Sequence, residues 1–381
     1  MDNVLRMPET VCNANFIKII VSNFLVSSAL YMFYPGTSYV MVRTGGDYAL
    51  DEGFSGVLFV LGAVLVAPFC NYCLDTYRRK TVVLWSLLCM SVCTALFFMP
   101  VSLMLFFILR TLQGAACGVF QIALGSTLLL DLSLSKNRTR AAHIYYWIIR
   151  LSLAMGPLMA AVAVEYAEIG QLVFIPLVMF LLAFVLLQSL QVPFRAPLEP
   201  SLCSLDRFWL LRGSRLFVPL CGVAFSVGLF LARNWHFELY VFLLVGFLLA
   251  LALHTRCFGQ LYNVEIFSGL ILLSVAFGLL LILPTISVWV TGVLAGAGLG
   301  LFSSRYLLAY IRVCEHCERG TAQTSYWLGW ESGLAAGGFV GVMMYSFSSH
   351  VVSVLALLVI IIVFFIHLFY IRRWYEVRKR K

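Results

Sequence analysis

Arg110, Arg150 and Glu331 are ionisable residues set inside long apolar stretches. A charged side chain in hydrocarbon costs on the order of 3 kcal/mol on insertion scales. Such groups face a protein interior or an aqueous cavity, and inside apolar segments they mark ion or substrate pathways. A carboxyl group can bind and release H⁺, and a guanidinium can clamp a carboxylate. Aromatic residues accompany these charges at helical spacing. Tyr146 lies four residues before Arg150, Trp327 lies four before Glu331, and Trp330 is its neighbour. Residues four apart share a helix face. The residue types therefore describe a cavity with opposite charges on its sides and aromatic walls. Gln113, Gln121, Asn23, Ser27, Ser28 and Tyr31 are weaker lining candidates, because interhelical hydrogen bonds use the same residue types.

No pattern for covalent chemistry accompanies them. The chain has no phosphate-binding Walker loop, no H-E-x-x-H and no G-x-S-x-G. ATP is therefore not the expected energy source, and neither an enzyme nor a cofactor is expected. Two C-x-x-C pairs, Cys70/Cys73 and Cys314/Cys317, could in principle join as a four-thiolate zinc site. Each pair is isolated and the first runs into a helix, so the reading taken is no metal. His367 reads as a packed or interfacial residue, and Arg305 as one that snorkels from a span end. The sequon Asn137–Arg138–Thr139 falls on the side expected to be cytosolic, where glycosylation is not expected.

The elements that must hold these residues are membrane spans. The chain has 381 residues, of which 62% are hydrophobic and 11% charged, too few polar residues for a water-facing surface. Stretches of about 20 apolar residues recur at 16–34, 54–73, 81–99, 101–131, 141–164, 170–190, 215–232, 237–255, 266–283, 288–311, 322–346 and 350–371. This predicts an all-α polytopic membrane protein with about twelve transmembrane helices. Arg110, Arg150 and Glu331 each fall about ten residues into their spans. At 1.5 Å per residue that is about 15 Å, the middle of a hydrocarbon core roughly 30 Å thick.

The net charge of +9 reports topology and implies no nucleic acid. With a cytosolic N-terminus, only Arg43 and Arg233 fall on the outer side, and Arg110, Arg150 and Arg305 lie within spans. The remaining Lys and Arg flank the cytosolic side, including the tail from Arg372 to Lys381. This positive-inside bias places both termini in the cytosol and the loop Tyr34–Gly53 outside. The basic tail reads as a cytosolic stop signal, with anionic lipid as an alternative contact. Short outer loops suit a bacterial inner membrane.

The chain also repeats itself. Leu112–Phe120 returns as Leu294–Phe302 with Leu, Gly, Ala, Gly and Phe kept in place, and Arg138–Gly156 returns as Arg319–Gly337. The second echo pairs Tyr145 with Tyr326, Leu153 with Leu334 and Gly156 with Gly337. Spans one to six therefore repeat as spans seven to twelve. Residues 1–190 form one six-helix bundle, 191–214 a cytosolic linker, and 215–381 a second bundle with a basic tail. Parallel halves of this kind place substrate near the midplane between them. Arg150 and Glu331 occupy equivalent positions and should face each other across that midplane. A non-functional reading is an ion pair that glues the halves.

With these features the chain resembles the major facilitator superfamily over nearly all its length, closest in motif to its 12-span proton-coupled antiporters. Arg110–Thr111–Leu112–Gln113–Gly114 is similar to that family's fourth-helix motif R-x-x-Q-G. Asn71–Lys80 looks like its cytosolic loop motif, with Asn71 and Arg78 replacing glycines and Thr76 replacing an arginine. Gly156–Pro157 looks like part of its fifth-span antiporter motif, with Ala160 and Ala161 in place of glycines. The resemblance implies a secondary active transporter working by alternating access. It implies gating roles for Asp75, Arg78, Arg79, Asp131, Arg138, Gly156 and Pro157, with Asp75 at the start of span eleven near Thr321–Gln323. The pathway residues expected are Arg110, Gln113, Tyr146, Arg150, Trp327, Trp330 and Glu331. The function expected is H⁺-coupled efflux of an amphipathic compound by a monomer in contact with lipid. The alternatives are H⁺-coupled uptake of a small organic anion, and a non-transporting receptor or partner subunit.

Overall fold

The computed structural model describes residues 12–41, 48–166, 170–192, 201–205, 207–233, 237–254, 262–282, 287–315, 317–344 and 348–378. Among them every regular element is helical. In lipid a helix is the one open-ended element that pairs its own backbone N–H and C=O groups, and the apolar runs fold accordingly. The long helices are α1 (Ala14–Met41), α2 (Tyr48–Val66), α3 (Arg79–Leu96), α4 (Leu103–Ala123), α5 (Arg138–Tyr166) and α6 (Gln171–Gln188), then α7 (Ser214–Arg233), α8 (Phe237–Leu253), α9 (Tyr262–Ile282), α10 (Ser287–Val313), α11 (Arg319–Met343) and α12 (Ser349–Ile366). They correspond one to one with the twelve predicted spans. The segment expected as an outer loop, Tyr34–Gly53, differs: α1 continues to Met41 and α2 begins at Tyr48. Residues 42–47 of that segment lie outside the described residues.

Ten of the described helices are long and apolar enough to cross a membrane, and α8 is apolar but shorter. Helix α11 is not among them. It carries Gln323, Thr324, Ser325, Trp330 and Glu331, and all of these are buried. A helix buried along most of its length need not be apolar, because little of it can meet lipid. That is why the least hydrophobic span is the central one.

The helices pair in the same way in both halves of the chain. Helix α1 packs on α5 and α6 as α7 packs on α11 and α12. Helix α4 packs on α2 and α3 as α10 packs on α8 and α9, and α3 meets α6 as α9 meets α12. The two six-helix bundles then meet through α2 with α11 and α5 with α8. Between 193 and 200 the linker lies outside the described residues. Its later part bridges the bundles, with Ser204 N–H donating to Pro68 C=O at 3.1 Å and Leu210 N–H to Ser325 Oγ at 2.7 Å.

The repeated glycines explain one pair of these contacts. A Cβ on Gly114 would lie 1.8 Å from Phe59 O, and one on its counterpart Gly296 would lie 2.1 Å from Leu243 O. Only glycine lets these backbones approach so closely. Replacing either with Val must separate α4 from α2, or α10 from α8. Gly114→Val and Gly296→Val are each expected to lower the melting temperature in detergent, by the equivalent of roughly 1–3 kcal/mol for overpacking. Gly278→Val should leave it unchanged, since nothing lies within 4 Å of a Cβ there. Equal melting temperatures for all three would refute the close-packing account.

Candidate functional site at the bundle interface

The repeat brings its two charged counterparts together. Arg150 Nη1 of α5 lies 4.0 Å from Glu331 Oε1 of α11, and the same oxygen accepts a hydrogen bond from Tyr31 Oη of α1 at 2.6 Å. Two helices of the first bundle thus converge on one carboxylate of the second. Arg150 is 1% exposed and Glu331 8%. The guanidinium lies 4.0 Å from the Trp330 ring centroid and 5.6 Å from that of Tyr326. Cation–π contact therefore supplements a single, loosely spaced ion pair. The nitrogens of Arg150 find no acceptor at ordinary hydrogen-bond geometry among the described residues. Gly156 makes the convergence possible, because a Cβ there would meet Ser28 O at 2.6 Å and Tyr31 Cβ at 2.7 Å. Pro157 follows within α5, buried, and the helix runs on to Tyr166.

A cavity of about 50 Å³ opens beside this group. Glu331, Trp327, Arg110, Gln121, Tyr31 and Ser27 supply its polar and aromatic lining, with apolar walls from Phe59, Ile149 and Leu334 among others. Arg110 sits between the rings of Phe33 and Phe59, at 5.4 and 5.0 Å, and donates to Gln113 Oε1. Gln113 in turn donates to Thr94 Oγ1 at 2.8 Å. Gln113 thus holds Arg110 from behind and is not among the cavity-lining residues, unlike its sequence-based placement in the pathway. Asn23 also works as a bracket, donating to Tyr145 C=O and accepting from Gln121.

The bundles touch at both ends of the cavity. Toward the face away from the termini, Tyr34 Oη donates to Leu334 C=O at 2.8 Å. Toward the face that carries the described chain ends, Tyr146 Oη donates to Gln323 C=O at 3.1 Å. One level further, His143 Nε2 lies 2.7 Å from Ser304 Oγ. A smaller cavity of about 10 Å³ lies there, lined by His143, Tyr146, Trp147, Ser303, Ser304, Leu307 and Tyr326. Arg305 does not snorkel. It is buried and ion-paired with Glu265 of α9, which is itself fully buried.

At the terminal face, Asp75 lies on a short helix, Cys70–Thr76, that ends the α2 segment. Its carboxylate binds Arg207 Nη2 at 2.8 Å and lies 3.8 Å from Arg79. Arg79 also pairs with Asp131. Arg138 Nε donates to Leu130 C=O at 3.1 Å and ties the turn between α4 and α5, whereas Arg78 is exposed. The sequence places Asp75 directly at the start of α11. In the structure the linker intervenes, because Arg207 holds Asp75 by its side chain and donates its backbone N–H to Thr321 Oγ1 at 3.0 Å. Arg207 adopts a left-handed backbone with φ of 69°, rare for a residue with a Cβ. It supplies the guanidinium that Thr76 lacks in the loop motif.

Among the site residues, Arg207, His143, His254 and Glu265 escaped the sequence reading. Arg207 lies in a linker with no periodicity, and Glu265 falls one residue before the predicted start of its span. The burial of Arg150 and Glu331 sets a test. Removing one partner of a buried pair costs about 3–5 kcal/mol, while replacing both with apolar residues is often near neutral. Arg150→Leu should therefore lower the thermal stability in detergent sharply, and Arg150→Leu/Glu331→Leu should recover most of the loss. Additive losses would show that the two charges do not interact.

Comparison with known proteins agrees with this architecture. The profile of the Major Facilitator Superfamily matches residues 19–255. An autoinhibited POT family peptide transporter superposes with a TM-score of 0.71 at 13% identity, covering 97% of this chain and 98% of its own. The human organic anion transporter MFSD10 (TETRAN) gives 0.69 at 15% identity, covering 92% and 98%. A bacterial homologue of the iron transporter ferroportin, outward-facing with soaked iron, gives 0.63 at 14%, covering 94% and 98%. At these identities the likeness is one of fold. No curated protein matches the sequence. With the profile spanning well over half its length, twelve helices in two repeated bundles and a charged cavity between them, the chain belongs to the Major Facilitator Superfamily.

Proposed function

We propose that this protein is an H⁺-coupled secondary transporter that exports a small amphipathic compound by rocking the bundles 1–190 and 215–381 about the central cavity. The observation that carries the reading is Glu331. It is a titratable group on the cavity wall, its oxygen is shared between Tyr31 and Arg150 of the opposite bundle, and any opening of the seam changes those distances. Proton affinity and conformation are then linked, which is what coupling requires. The apolar wall of Phe59, Ile149, Trp327 and Leu334 beside Arg110 and Gln121 suits an amphipathic substrate. Export draws on the Gly156–Pro157 element of α5, which abuts Tyr31. A cavity between the bundles that is lined by Arg110, Gln121 and Glu331 favours transport over a non-transporting partner role.

A second reading, H⁺-coupled uptake of a small organic anion, draws on the excess of guanidinium over carboxylate. Arg110 lines the cavity, and Arg150 lies just behind Glu331 without a hydrogen-bonded acceptor. In either reading Asp75, Arg79, Asp131, Arg138 and Arg207 close the terminal face. That face is cytosolic in a bacterial inner membrane, and the working unit is a monomer.

A thermal-shift screen of purified protein against amphipathic cations, neutral compounds and organic anions identifies a ligand. Flux in proteoliposomes with and without a pH gradient then tests coupling. Glu331→Gln keeps the size of the side chain and much of its hydrogen bonding but cannot titrate. It should abolish accumulation driven by a pH gradient while ligand binding and passive exchange persist. Undiminished accumulation with an unchanged pH profile would place the proton site elsewhere. The orientation has its own test. Reporter fusions at Gly46 and at Lys381 should report the outer face and the cytosol respectively, and opposite locations for the two termini would overturn the reading.

A further inference from the structure

A second titratable cluster, two half-buried histidines beside the buried Glu265 and Arg305, lies along the same seam and plays no part in the mechanism above. The imidazoles of His143 on α5 and His254 at the end of α8 approach to 5.1 Å between centroids, inclined by 34°. His143 Nε2 is hydrogen-bonded to Ser304 Oγ of α10. His254 Nδ1 lies 2.7 Å from Glu265 Oε1 of α9, and the other oxygen of that carboxylate holds Arg305 of α10. One ring therefore belongs to the first bundle, and the other to a charged network wholly within the second. The groups facing His143 are His254 from α8, Glu265 from α9, Arg305 from α10, Tyr326 from α11 and Tyr146 on its own helix.

With both rings neutral, the charges of Glu265 and Arg305 cancel and the rings pack. His254 has the Glu265 carboxylate beside it to balance an added charge. A charge on His143 has no carboxylate beside it among the described residues and would face Arg305 and a charged His254. Like charges about 5 Å apart repel strongly in a low-dielectric interior. His254 and Arg305 are both tied to Glu265, so separation must come from α5 leaving α8 and α10. That movement is the opening of the seam at the terminal face. We propose that His143 and His254 form a second H⁺-binding site, distinct from Glu331, whose double protonation opens the terminal face of the bundle interface. The proposal rests on the reading that this seam opens during transport.

Spin labels carried by a keto amino acid at positions 140 and 312 leave the native cysteines in place. Both positions are exposed, on α5 and α10. Double electron–electron resonance on the full chain in nanodiscs then reads the seam directly, without a known substrate. Between pH 7.5 and 5.5 (about two units around the ordinary histidine range) the population should move to the longer distance. One linked proton changes the open-to-closed ratio by at most about tenfold per pH unit. His143→Gln keeps a donor for Ser304, and His254→Gln keeps one for Glu265. Each should flatten the response, and either variant suffices if the other does not fold. Glu331→Gln should retain it. A pH-independent distance in the unmodified protein, or an undiminished shift in both histidine variants, overturns the proposal. A shift lost only in Glu331→Gln also overturns it while leaving proton coupling intact. A retained shift in a protein whose accumulation ignores the pH gradient sinks the coupling reading and leaves this site standing.

Discussion

Holding Arg150 and Glu331 out of water constrains the rest of the structure. The effective penalty for burying an ion is several kcal/mol even after relaxation, and one contact at 4.0 Å does not offset two such terms. The surroundings supply what the pair lacks. Tyr31 donates to the carboxylate and the Trp330 ring lies against the guanidinium. These groups come from α1, α5 and α11, so the three helices must converge. Convergence requires small residues at their crossing, and Gly156 against Ser28 and Tyr31 meets that need. The same demand accounts for the polar residues of α11, which is buried along most of its length.

The pair also differs from the fastenings around it. Gln113 and Arg110, or Asn23, Gln121 and Tyr145, are hydrogen-bonded within one bundle. They hold the bundle's own shape and survive any motion between bundles. Arg150 and Glu331 belong to different bundles and meet at the outer limit of an ion pair. A tight bidentate bridge there would lock the halves together. A loose one, backed by a ring that travels with Glu331 on α11 and a tyrosine that stays with α1, leaves two arrangements accessible. On the proposed reading this distinguishes a coupling element from glue.

Much of this was legible in the chain because lipid removes alternatives. Twelve apolar runs had to be helices, and their order and ends agree closely with the described elements. The equivalence of residues 150 and 331 followed from a repeat, and a repeat of even span number implies an axis that brings equivalents together. Tyr31 was visible only as a member of a polar stripe, because spacing within one helix does not say what lies across a cavity. Arg207 was invisible as a partner of Asp75. Its position depends on a left-handed residue in an irregular linker, and no periodic signal marks such a place. Arg305 misled for a related reason. Position near a span end suggests snorkelling, but Glu265 lies buried in the next helix, and pairing across helices outweighs access to the interface.

The two ends of the seam are fastened by different chemistry, and the difference bears on how each responds. Away from the termini, Tyr34 donates to the Leu334 carbonyl, a contact between uncharged groups. Toward the termini the fastenings become increasingly charged: Tyr146 on the Gln323 carbonyl, then His143 and His254 above Glu265 and Arg305, then Asp75 with Arg207. Arg207 lies on the linker that joins the bundles, so the outermost of these contacts is formed by the segment any relative motion must carry along. On the proposed reading, protons at the histidine pair act on the terminal end of the seam, where the charged contacts among the described residues lie.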